Sequence, residues 1–224
     1  CKRFIGKRNK FSLMITSINK LVNSLEKRVK EPLPGSSAHL LTKVQSKIKF
    51  NFPYSTENAK KASVLILLFP KSNNIHFFLT QRTFSVEHHK GQISLPGGMC
   101  EKNEQATNTA LRETEEEIGV NQNEIKIIGG LTPFFTPNSG FMVHPFIGWC
   151  DKRPETKIQA DEVHNLFSPS LSQLLNDQIL ESENWNLKGY QAKVPFYNFD
   201  GHKVWGVTAA ILSEFKLILK DVIN

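Results

Sequence analysis

Apolar positions recur along this chain in two rhythms. Between residues 11 and 29, Leu13, Ile15, Ile18, Leu21, Val22 and Leu25 fall near helical spacing, and Glu-Pro-Leu-Pro-Gly at 31–35 stops the pattern, which predicts a helix and a linker. Residues 38–49 fit neither rhythm. The stretches 62–70 and 75–82 flank Lys-Ser-Asn-Asn and predict a hairpin that opens the main domain. Further strands are predicted at 124–129, 141–150 and 193–197, the last reaching an Asp-Gly-His turn signal before a strand at 203–205. Helices are predicted at 104–118, at 168–175 with Ser-Pro-Ser as its start, and at 208–222. Strands interspersed with helices predict a layered α/β domain around a mixed sheet. The division expected is 1–35 as a basic N-terminal helix and linker, and 36–224 as the main domain.

Composition narrows the class. The chain has 224 residues, 39% of them hydrophobic, enough for a real core. Its longest apolar run, 62–69, is far short of the roughly 20 residues a membrane helix needs, so it reads as a buried strand and no membrane partner is expected. Cys1, Cys100 and Cys150 are too few for a disulfide framework and contain no Cys-x-x-Cys pair, which favours a reducing, cytoplasmic setting. The net charge of +7 is concentrated at the start, where Lys2, Arg3, Lys7, Arg8, Lys10 and Lys20 precede the first acid, Glu26. That start reads first as a solvated tail, with the residues before Met14 of uncertain origin; organellar targeting and nucleic-acid contact are the less favoured alternatives. A basic balance also suits a substrate that carries several phosphates.

The chemistry is concentrated between Gly97 and Val120. At 100° per residue Glu116 lies about 60° and Glu117 about 40° from Glu113, so three carboxylates share one helix face while Glu115 points away. Like charges so close repel unless a cation offsets them, and hard oxygen ligands favour Mg²⁺ or Mn²⁺. Pro96-Gly97-Gly98 supplies a tight turn beside them, and Gly119 supplies the helix stop. A run of glutamates alone would be an ordinary solvated face; the spacing is what distinguishes this one.

Gly98, Glu104, Arg112-Glu113, Glu116-Glu117 and Gly119-Val120 stand at the intervals of the Nudix box, Gly-x5-Glu-x7-Arg-Glu-U-x-Glu-Glu-x-Gly-U with U a bulky aliphatic, and match eight of its nine defined positions. Thr114 is the exception. The resemblance implies an α/β/α sandwich of Nudix type with a central mixed sheet, plus the N-terminal helical extension. It implies Glu113, Glu116 and Glu117 as metal ligands, one of them a candidate base, with the Gly98 carbonyl as a further ligand, Arg112 orienting the carboxylates and Glu104 supporting them. The reaction implied is metal-assisted hydrolysis of a diphosphate in a small-molecule nucleotide.

Outside the box, Phe-Leu-Thr-Gln-Arg-Thr at 78–83 and His-His-Lys-Gly-Gln-Ile-Ser-Leu-Pro-Gly-Gly at 88–98 resemble the extra motif of the coenzyme A diphosphatase branch, as do 131–146 and 204–209. Phe78, Arg82, Glu87 and Leu95 depart from that motif. Glu87 stands where an arginine is usual, so Arg82, His88, His89 or Lys90 would have to supply the positive charge. With Gln92 and Gly97 these are the candidate substrate contacts. Glu162 is a candidate base or extra ligand, and Trp205, Gly206 and Thr208 are expected to pack the last helix. Coenzyme A or an acyl derivative is the expected substrate. Another nucleoside diphosphate derivative, such as ADP-ribose, NADH or a dinucleotide, is the alternative within the family. A non-catalytic nucleotide-binding regulator and an RNA-end processing enzyme are the alternatives beyond this reading. Homodimerisation is left open.

Overall fold

The apolar run at 62–69 becomes the middle of the fold, and its alternate residues are buried on opposite faces of one sheet. The computed structural model describes residues 18–46, 53–83, 91–187 and 189–223. The strands in chain order are β1 (Gln45–Ser46), β2 (Lys60–Lys71), β3 (Asn74–Phe77), β4 (Leu79–Arg82), β5 (Ile93–Ser94), β6 (Gly97–Met99), β7 (Lys126–Gly130), β8 (Phe134–Thr136), β9 (Phe141–Trp149), β10 (Val163–Phe167), β11 (Leu180–Leu187), β12 (Tyr190–Phe199) and β13 (His202–Trp205). The helices are α1 (Ile18–Arg28), α2 (Ser36–His39), α3 (Ala106–Ile118), α4 (Leu171–Leu175) and α5 (Gly206–Ile223).

Side chains alternate across a strand. From β2, Leu65, Leu67 and Phe69 join Ala110 and Ile118 of α3, while Ile66 and Leu68 join a larger core that includes Leu25 of α1, Leu171 of α4 and Phe215 of α5. A strand covered on both faces reads as a continuous apolar run, and truncating one such residue, as in Leu67→Ala, costs about 2–5 kcal/mol. β2 pairs in parallel with β9 from Lys60↔Phe141 to Leu68↔Trp149, and β7 and β8 add to β9 antiparallel. The sheet is mixed and lies between α3 and the layer of α1, α4 and α5. Two smaller sheets, β10-β4-β5 and β1-β12-β11 with β13 on β12, complete the fold.

The hairpin predicted at 62–82 forms only in part. Ser72 and Asn73 turn the chain with positive φ (47° and 59°), and β3 returns along β2 from Lys71↔Asn74 to Leu68↔Phe77. It goes no further because β6 holds the same edge of β2 at Ala62–Val64. Phe78 stacks on Phe69 with ring centroids 4.3 Å apart, and β4 pairs instead with β5 and β10. Two of the strands that patterning missed have their reasons: β6 is two-thirds glycine, and the exposed residues 181–184 of β11 leave no alternation to read. α3 begins at Ala106, two residues later than predicted, and α4 begins at Leu171 behind a Ser170–Gln173 capping box. Leu21, Val22 and Leu25 bury α1 in the main core.

Candidate active site

Two adjacent glycines set the site against the sheet. In β6, Gly97 pairs with Val64 and Gly98 with Ser63. Gly97 has φ +150°, and any side chain there would meet the Val64 Cα at 2.6 Å, so the position accepts only glycine. A side chain at Gly98 would instead strike the Glu113 carboxylate, which puts the turn and α3 in contact.

α3 is fixed at its C-terminal end. Gly119 takes the left-handed conformation (φ 71°) and donates its N–H to the Glu115 carbonyl at 2.8 Å. Residues 151–162 then fold back over this end: the Lys157 N–H donates to Ile118 O at 2.8 Å and the Gln159 N–H to Glu117 O at 3.0 Å. Carbonyls that a helix end leaves open are thereby bonded. The same segment delivers Glu162, which lines a cleft with Glu115, Glu116 and Lys157. Thr114, where the box has an aliphatic, is fully buried and donates its hydroxyl to Ala110 O at 2.6 Å, so no polar group is stranded.

Arg112 organises the acids. Its Nε donates to Glu104 at 2.9 Å, Nη2 donates to Glu104 at 3.1 Å, and Nη1 donates to both Glu113 and Glu116 at 2.8 Å. Glu104 also accepts the Glu101 N–H at 2.9 Å, and the Arg112 hydrogen bond above all holds its pKa down at about 2. Burial pushes Glu113 above the usual carboxylate range, against Arg112, with Glu116 and Glu162 adding to the rise. Glu117 is the extreme case. Although it shares a helix face with Glu113 and the exposed Glu116, it is 4% exposed beneath the turn, and burial raises its pKa to about 8 even though the Gly97 N–H, at 3.2 Å, and Arg82 both favour its charge.

The donors available to a metal are all oxygens: Glu113, Glu116, Glu117 and the backbone at Gly98. Such a set suits a hard divalent cation. Among the described residues no three acids, histidines or cysteines already converge as a cage, and Arg112 spans Glu113 and Glu116. Burial is the main reason the Glu113 and Glu117 pKa values rise, and the neighbouring carboxylates, Glu162 among them, add to it; that negative charge is what a cation would offset.

Beside the glycines lies a cavity of about 380 Å³. Arg82, Gln92, Gly97 and Gly98 line it, as do Thr136 at the end of β8 and Asn138 and Ser139 from the turn before β9. Glu162 lies on the other cleft, with Glu116. His88, His89, Lys90 and Glu87 fall outside the described residues. Trp205, Gly206 and Thr208, read from sequence as packing residues, line the cavity where α5 begins. Asn138 and Ser139 were not singled out at all; the only sign of them was the resemblance of 131–146 to the coenzyme A branch.

Comparison with known proteins follows this geometry. The NUDIX domain family matches residues 59–190, more than half of the chain. A Nudix hydrolase of Photorhabdus laumondii is 29% identical over 160 residues, 71% of this chain and 84% of that protein. A protein of Caenorhabditis elegans named peroxisomal coenzyme A diphosphatase is 33% identical over 128 residues, 56% of this chain and 55% of its own. The crystal structure of a Nudix hydrolase from M. smegmatis superimposes with a TM-score of 0.50 at 14% identity, over 80% of this chain and 94% of that one, a likeness of fold. Among the described residues no helix is long and apolar enough to cross a membrane.

Proposed function

The chain belongs to the Nudix family and is a hydrolase of nucleoside diphosphate derivatives, and from that premise we propose that its substrate is coenzyme A or an acyl-CoA, cut at the diphosphate to 4′-phosphopantetheine, or its acyl form, and adenosine 3′,5′-bisphosphate. One observation carries this reading. The three stretches outside the box that resemble the coenzyme A branch each send residues to one cavity beside Gly97 and Gly98: Arg82 and Gln92 from the first, Asn138 from the second, Trp205 and Thr208 from the third. The name of the C. elegans relative supports the same choice. That protein is named for the peroxisome, so the cytoplasmic location expected from sequence has an organellar alternative.

Glu113, Glu116 and Glu117, with the Gly98 carbonyl, would hold the divalent cation, proposed as Mg²⁺ or Mn²⁺. When bound, the cation polarises diphosphate oxygens and lowers the pKa of an attacking water. The protein's own part is positional. Arg112 holds Glu104, Glu113 and Glu116 in fixed relation, and the Gly97 N–H fixes Glu117. Arg82, which lines the cavity with Gly97 and Gly98, would neutralise diphosphate charge, and Glu162, which lines the neighbouring cleft with Glu116, would take a proton from water.

Turnover of free coenzyme A with Mg²⁺ and then Mn²⁺, beside ADP-ribose and NADH at matched concentration, tests the choice. Adenosine 3′,5′-bisphosphate is expected to form fastest. Consumption of ADP-ribose or NADH with coenzyme A untouched would overturn the substrate and leave only the family chemistry.

A further inference from the structure

We propose that Thr83 is a positioning residue for the reaction: its hydroxyl, just past the end of β4, fixes the turn that carries Glu162 and so sets that carboxylate against the acids of α3. This deepens the role given to Glu162 above and rests on it, but not on which diphosphate is cut.

Side-chain packing gives the turn little support. Every residue from Glu155 to Glu162 is exposed, and the nearest buried ones are Pro154 and Val163. Hydrogen bonds make the frame instead. The N–H groups of Glu162 and Val163 both donate to Gln159 O, at 3.1 and 2.8 Å, which closes the turn on itself. The Gln159 N–H donates to Glu117 O at 3.0 Å and ties the start of the turn to α3. Its end is tied to Thr83, whose N–H donates to Glu162 O at 3.0 Å and whose hydroxyl donates to Asp161 O at 3.1 Å. Of these bonds only the last comes from a side chain, so a substitution can remove it and leave the others in place.

Thr83 is a firm anchor. It is 8% exposed and follows Arg82, which pairs with Val163 where β4 meets β10. That ladder shifts register between Val163 and Asn165, so Arg82 and Thr83 hold the turn beside an irregularity of the kind that re-aims side chains next to a site. The Glu117 carboxylate feels the charges of both Arg82 and Glu162, and Glu113 feels Glu162 as well. One strand end therefore serves two places: Arg82 lines the cavity with the glycines, and Thr83 holds the backbone of Glu162, which lines the cleft with Glu116. Misplacing a reacting group by about 1 Å costs on the order of a hundredfold in rate, so the loss of one hold on the turn should cost about tenfold.

Thr83→Val keeps the shape of the side chain and deletes the hydroxyl, whereas Thr83→Ser keeps the hydroxyl. Both are assayed beside Glu162→Gln and the double variant, on whichever of coenzyme A, ADP-ribose and NADH the wild type cleaves fastest. Thermal unfolding shows that each variant folds, and Thr83→Ala takes the place of Thr83→Val if valine is not tolerated. Thr83→Val is expected to lower kcat about tenfold with KM within about twofold of wild type, and Thr83→Ser to restore kcat to within about twofold. Where Glu162 is already Gln, Thr83→Val should cost nothing further, the non-additivity of two residues that act as one. A tenfold loss that persists in the Glu162→Gln background overturns the proposal, as does unchanged kcat in Thr83→Val or a loss that Thr83→Ser fails to restore. A raised KM with normal kcat assigns the effect to Arg82 and overturns it too. Wild-type turnover by Glu162→Gln alone removes the role of Glu162, and the proposal with it.

Discussion

Gly97 and Gly98 look interchangeable in sequence and are opposites in structure. A methyl group at 97 meets backbone at an unfavourable φ, whereas one at 98 meets the side-chain carboxylate of Glu113. Gly97→Ala is therefore expected to lower stability by about 1–3 kcal/mol, read by urea unfolding. Gly98→Ala should unfold near the wild-type midpoint yet lose roughly a hundredfold in kcat, the effect of a misplaced catalytic group; normal kcat would detach Glu113 from the chemistry. Glu116→Gln and Glu117→Gln should each remove most of the metal-dependent rate, but only the second touches a buried group, so only it should move the unfolding midpoint. Helical arithmetic placed Glu113, Glu116 and Glu117 on one face. It could not say which of them lies under the turn, because that depends on how β6 docks, and two glycines leave no pattern to read.

The elements that hold the site are tied by their ends. Residues 151–162 rest on Gly119, where a side chain would meet the Lys157 backbone at 2.8 Å. Gly119→Ala should free this segment, make it more susceptible to limited proteolysis, and lower kcat by about tenfold through displacement of Glu162; unchanged kcat with a loosened segment would remove Glu162 from the mechanism. On the opposite side Glu214 of α5 accepts from the Gly35 N–H at 3.0 Å, from the Thr132 hydroxyl at 2.6 Å and N–H at 3.2 Å, and faces His39 Nε2 at 3.2 Å. Burial opposes its ionisation, but these partners outweigh it and leave its pKa below the usual value. A carboxylate lowered on folding stabilises above its ordinary pKa and loses that stabilisation as pH falls through the lowered value. Glu214→Gln is expected to cost about 2 kcal/mol near pH 7 and to flatten the acid limb of a stability–pH curve; an acid limb as steep as wild type would place the titration elsewhere. Sequence patterning located α5 and the core strands, whose apolar spacing is dense. It gave no sign of this knot, since a glutamate within an amphipathic helix looks the same whether it meets solvent or four partners.

At the scale of the whole molecule the legible part was the reaction and the obscure part its walls. Fixed spacing over 98–120 marked the helix that carries Glu113, Glu116 and Glu117, and the long apolar run specified the central strand. The cavity is assembled from β2, β5, β6, the turn before β9 and the start of α5, and no local rhythm records such a meeting. A cation that binds only the folded chain should stabilise it by about 2.7 kcal/mol at a hundredfold excess over its Kd, and a thermal shift with Mg²⁺ or Mn²⁺ that disappears in Glu116→Gln and Glu117→Gln would assign it to this face; a shift that persists in both would place the ion elsewhere. The parallel pairing of β2 with β9 brings together residues 81 positions apart, such as Ser63 and His144. Closing so long a loop before any contact rewards it is slow. During synthesis, the sheet that backs Gly97 and Gly98 cannot close until Trp149 has left the ribosome, and until then the aliphatic stretch of β2 is exposed, without its parallel neighbour, to whatever chaperones attend the nascent chain.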